Sequence, residues 1–106
     1  MFLKVEIFIP EGEVYPLMDA INDKGFIREG DYDYAFSITP VLGHWRPLDQ
    51  ANPFIGERNR ISKEEEKKIE FRIDKEDYLE VKTLILDFHP YEEPVIHFIP
   101  LYGEDS

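Results

Sequence analysis

Residues 68–90 read KIEFRIDKEDYLEVKTLILDFHP, and the period of the apolar residues changes within this stretch. Ile69, Phe71 and Ile73 alternate with Lys68, Glu70 and Arg72, which predicts a strand with one buried face. Asp74 then stands at an N-cap position, with Asp77 three residues on as a shorter version of the capping-box acid. Tyr78, Val81, Leu84, Ile85 and Phe88 form the stripe of a helix that Pro90 forbids beyond His89. Strand followed directly by helix is one half of a repeated unit.

The other half precedes it. Leu3, Val5, Ile7 and Ile9 alternate with Lys4, Glu6 and Phe8, Pro10 and Gly12 break the strand, and Val14, Leu17, Met18 and Ile21 recur as one helix face. Pro16 falls in the first turn, and Gly25 is placed to end the helix in the left-handed conformation. A second strand is expected at Tyr32, Tyr34, Phe36 and Ile38, and a last one at Val95 to Leu101, apolar enough to be covered on both sides. The tail from Gly103 to Ser106 is expected to fray. The order βαββαβ predicts a ferredoxin-like α+β domain over residues 1–106, a four-stranded antiparallel sheet with both helices on one face. The opposite face and two sheet edges then need protection, which hints at oligomerisation.

Composition narrows the partners. The chain has 106 residues, enough for a core without staples, and contains no Cys, so thiol catalysis, disulfides and thiolate metal sites are excluded. Twelve Lys and Arg against 23 Asp and Glu give a formal charge of -11, a poor match for nucleic acid or an anionic membrane. No apolar run approaches a membrane span and no basic stretch leads into a signal-peptide core, so a soluble cytoplasmic protein is expected. There is no glycine-rich phosphate loop and no nucleophile elbow around Ser37 or Ser62.

Charge is unevenly spread. Residues 57–82 hold 17 of the 35 charged side chains, with Ser62 to Lys68 expected as a solvated connector. The run Pro40 to Gly56, PVLGHWRPLDQANPFIG, has one acid and one cation, three of the eight prolines and the only Trp. Trp45, Leu48, Phe54 and Ile55 need apolar cover, either from their own sheet or from a neighbouring subunit or pocket. Arg46 is suited to a local carboxylate such as Asp33.

The segment His89-Pro90-Tyr91-Glu92-Glu93-Pro94 concentrates ionisable and rigid residues. His89, Glu92 and Glu93 are the donor types that suit a hard or borderline divalent cation, or an acid–base pair in a hydrolase. The plainer reading is a proline-set turn in which Tyr91 packs and the acids are solvated or paired with Arg46 or Arg28. His97 shares strand parity with Val95 and Ile99, as a core or interface histidine satisfied by one hydrogen bond would.

Three phrases taken together, Gly30-Asp31-Tyr32-Asp33-Tyr34, Arg46-Pro47 with Ala51-Asn52-Pro53-Phe54-Ile55-Gly56, and His89 to Pro94, resemble the YqfO-type insert domain of the Nif-three-like proteins over roughly residues 2–102. The resemblance implies a fold similar to the PII signal proteins and the CutA divalent-cation tolerance proteins, usually trimeric, with a poorly defined function. The dinuclear metal site of full-length relatives lies in flanking domains without a counterpart in these 106 residues, so their hydrolase role is not carried over. Relatives often place His and Cys where this sequence has Tyr34 and Ala35.

The expectation is therefore a homotrimer binding a small molecule or a divalent metal ion at clefts between subunits. Asp33, Trp45, Arg46, Asn52, Phe54 and Tyr91 are the ligand or interface candidates, with His89, Glu92 and Glu93 as the metal set. Three copies would triple the charge of -11, so the interface should come from uncharged surface and tighten with salt. The alternative is a structural or regulatory module docking another protein on the Trp45 loop. A hydrolase using His89 with Glu92 or Glu93 ranks below both.

Overall fold

The computed structural model describes residues 1–103; Glu104 to Ser106, most of the tail expected to fray, lie outside the described residues. Strand β1 (Phe2–Ile9) leads through a 3-10 turn into helix α1 (Val14–Asp23), and strands β2 (Ser37–Trp45) and β3 (Ser62–Asp74) form a long hairpin. A second 3-10 turn opens helix α2 (Tyr78–Phe88), and β4 (Ile96–Pro100) completes the sheet in the order β2-β3-β1-β4, antiparallel throughout. This is the α+β ferredoxin-like arrangement that the two half-units predict.

Register explains the two faces. Leu3, Val5 and Ile7 lie opposite Ile73, Phe71 and Ile69, and these residues pack against Val14, Leu17, Met18 and Ile21 of α1 and Val81 and Ile85 of α2. All of these are buried, and removal of their apolar area from water holds the helices on the sheet. The opposite face carries Lys4, Glu6, Lys68, Glu70 and His97, joined by ion pairs rather than apolar contact. The bare sheet face is thus largely polar, with its charges paired on the sheet itself.

Several boundaries move. The second strand begins at Ser37 rather than Tyr32, because Gly30 and Tyr34 both take positive φ and Glu29 and Tyr32 close a tight turn. Asn22 fixes this turn: its Oδ1 accepts the Tyr34 N–H at 2.9 Å and its Nδ2 donates to Asp33. The segment Ser62 to Lys68 is strand, not connector, since each residue pairs with β2 from Thr39 to Trp45. This extends the hairpin beyond the helices and gives the molecule a long axis of 46 Å against 25 and 22 Å. Asp74 makes no side-chain cap, because a 3-10 turn at Lys75–Asp77 separates it from the α-helix. Strand β4 is covered on one side only: Ile96 and Phe98 pack on the core while His97 and Ile99 are exposed. The two edge strands, β2 and β4, carry Pro40 and Pro100. Among the described residues no helix is long and apolar enough to cross a membrane.

Candidate functional site

The extended hairpin ends in a loop, residues 46–61, which folds toward the connection between α2 and β4. Its backbone is held from within: Asn59 Nδ2 donates to Asp49 Oδ1 and Arg58 Nε donates to the Ala51 carbonyl, both at 2.6 Å. Gly56, at φ +96°, lets the chain pass over Ser62, where any side chain would strike the Ser62 hydroxyl. Across the gap, the Asn52 N–H donates to Glu92 Oε1 at 3.1 Å and ties the two loops together.

Between the loops and the end of the sheet lies a cleft of about 1050 Å³. Its walls include the aromatic rings of Phe8, Trp45, Phe54 and Tyr91. Tyr91 is the hub, with its ring centroid 5.5 Å from Trp45, 6.2 Å from Phe54 and 4.9 Å from His89. Tyr91 Oη donates to Glu66 Oε2 at 2.7 Å, and Glu66 is a buried carboxylate on β3, only 5% exposed. Burial and the neighbouring Glu66 push the Tyr91 phenol well above its usual range, so it stays a donor. Gly43 on β2 makes this possible, because a Cβ there would overlap Glu66 Oε1.

Of the sequence candidates, Trp45, Arg46, Phe54, Tyr91, Glu92 and Glu93 all line the cleft. Asn52 contributes its main-chain N–H rather than its amide. Asp33 is not part of it: the carboxylate accepts from Asn22, so the expected pairing with Arg46 does not form. Nor do Arg46 and Arg28 pair with Glu92 and Glu93, since Arg28 donates to the Gly30 carbonyl.

The metal set needs the clearest correction. His89 is buried, 8% exposed, and both ring nitrogens are committed. Nε2 donates to the Phe8 carbonyl at 2.7 Å, and Nδ1 accepts the Tyr91 N–H at 3.1 Å. Burial lowers its pKa, outweighing the hydrogen bond to Phe8 and the charge of Glu66. His89 is therefore a neutral strut that sets the turn, with no lone pair left for a metal or for the hydrolytic base. Among the described residues no group of three His, Asp or Glu side chains is placed to hold a metal ion.

Glu66 and Gly43 escaped the sequence reading. Glu66 sits in the charged run whose strand character was missed. Once that run is a strand, its parity with Lys68 and Glu70 places it on the polar face, beside the strand position of Gly43.

No family model matches the chain. It is similar to the "GTP cyclohydrolase 1 type 2 homolog" of Staphylococcus aureus (strain Mu50), 38% identical over 101 residues, covering 95% of this chain and 28% of the relative. The protein of the same name from Staphylococcus epidermidis (strain ATCC 35984) is 39% identical over 106 residues, covering 99% of this chain and 29% of the relative. The chain thus spans under a third of the curated relatives it matches. Among solved structures, a Bacillus cereus protein related to NIF3 superposes with a TM-score of 0.81 at 24% identity, over 96% of this chain and 26% of that one. The periplasmic divalent cation tolerance protein CutA from Archaeoglobus fulgidus gives 0.74 at 17% identity, over 100% and 89%. The fold is CutA-like, and the sequence likeness is to a segment of NIF3-related proteins.

Proposed function

We propose that the chain is a single PII/CutA-like domain, of the kind inserted in the NIF3-related proteins, that assembles as a homotrimer and binds a small molecule in the cleft between the hairpin loop and the α2–β4 turn. The observation that carries this reading is the concave aromatic site itself: Trp45, Phe54 and Tyr91 around a cleft of ligand size, with one buried carboxylate at its base. Assembly is supported by the hairpin arm, where Ile38 and Leu42 of edge strand β2 are exposed.

Two measurements test it. Light scattering coupled to size exclusion should give three times the 12.6 kDa chain mass at low and high salt, and a monomer at both overturns the trimer. A thermal-shift screen of metabolite-sized compounds should find a stabilising ligand, worth about 2.7 kcal/mol at 100 times its dissociation constant. A screen without any hit, repeated on the trimer, favours the second reading, a module that docks another protein through the same exposed Leu48 and Phe54.

A further inference from the structure

We infer that the cleft selects an organic cation, an alkylammonium or alkylguanidinium group, seated against the aromatic walls with its N–H groups donated to Glu66. This rests on the small-molecule reading above and names the chemistry of the ligand.

Glu66 decides the sign of the charge. Its Oε2 takes the Tyr91 O–H, while Oε1 takes no hydrogen bond among the described residues. Among the described residues no fully enclosed side-chain oxygen lacks a partner, so Oε1 is not sealed off, and it lies against Gly43, which lines the cleft together with Glu66. A carboxylate oxygen held against a glycine, beside aromatic rings and without a hydrogen bond of its own, is an acceptor waiting for a donor. Gly43 shows the carboxylate to be accommodated by the strand opposite, for no other residue leaves it room.

The walls favour the same ligand. Trp45, Phe54 and Tyr91 line the cleft with rings tilted against one another, and the negative faces of such rings attract a cation and repel an anion. Three carboxylates, Glu66, Glu92 and Glu93, line the cleft against one guanidinium, Arg46, in a chain of charge -11. An anion would meet that field and the unpaired Oε1 unfavourably. A quaternary ammonium would satisfy the rings but leave Oε1 without a hydrogen bond, so an N–H-bearing cation fits better.

Trp45, the only Trp in the chain, reports occupancy directly. Its emission is titrated with n-butylammonium, n-butylguanidinium, neutral n-pentanol and n-pentanoate. Saturable quenching by the two cations, weaker by about tenfold in Glu66→Gln, is the expected result, since the charge-assisted hydrogen bond is the strong one. Tyr91→Phe, which leaves the Glu66 charge in place, should still bind the cations, and a far-UV spectrum and thermal melt of Glu66→Gln show whether its weak signal is mere misfolding. Binding of pentanol or pentanoate as tight as that of the cations overturns the inference and leaves the small-molecule reading standing. Silence with all four probes also overturns it, and the thermal-shift screen then judges the broader reading by itself.

Discussion

Tyr91 Oη and Glu66 Oε2 lie 2.7 Å apart and join the turn after α2 to strand β3, two segments of the second half-unit that are 25 residues apart in the chain. The bond fixes the floor of the cleft and the orientation of its aromatic hub. Replacing Tyr91 with Phe keeps the ring but leaves a buried carboxylate oxygen unpaired, which should cost about 1–3 kcal/mol. Urea unfolding at neutral pH measures it, and an unchanged midpoint would deny the bond any structural weight.

Gly43→Ala should act through the same bond. The new methyl displaces the Glu66 carboxylate, so the effects of Gly43→Ala and Tyr91→Phe overlap instead of adding. A double-mutant cycle is expected to show a coupling of about 1 kcal/mol. Strict additivity would mean that the carboxylate relaxes without leaving Tyr91.

Stability at acid pH should report the charged sheet face. Glu6 is held at a pKa of about 2, first by its hydrogen bond with His97, with Lys4 and Lys68 adding to it against the cost of burial. The folded value lies below the ordinary 4.5, so the stabilisation is complete above pH 4.5 and is lost as the pH falls toward 2. Glu6→Gln should flatten this acid limb in denaturant midpoints taken at pH 7, 4 and 2.5. An acid limb as steep as that of the parent chain would assign the loss to other carboxylates.

His89 has the opposite charge type and the same direction of pH dependence. Its folded pKa lies below 6.5, so protonation favours the unfolded chain, and the stability present above pH 6.5 declines as the pH drops below it. A proton NMR titration should give His89 a midpoint under 6.5. His89→Ala should cost about 1–3 kcal/mol by stranding the Phe8 carbonyl and the Tyr91 N–H. A midpoint above 6.5 would contradict the buried neutral imidazole.

Much of the fold was legible because burial and periodicity coincide. Leu3, Val5 and Ile7, or Val81 and Ile85, face the core at the spacing their elements demand. Ser62 to Lys68 was not legible, because a strand in a projecting two-stranded arm has little apolar face to show, and its order comes from pairing with a distant partner. Tyr32 to Phe36 failed for the reverse reason: an alternating pattern was overridden by a turn that Asn22 fixes. Within the site, Trp45 and Phe54 declared themselves by sitting in a charge-poor run, and Tyr91 by its place between two prolines. Their carboxylate partner was hidden among neighbouring acids, and only the register singles it out.

Pro40 and Pro100 occupy the two outer strands, so each rim of the layer lacks an amide hydrogen somewhere along its length. A stray chain that tried to extend the layer sideways would find an interrupted template at both margins. This resists fibrous growth even though the outermost hairpin strand is long and partly greasy.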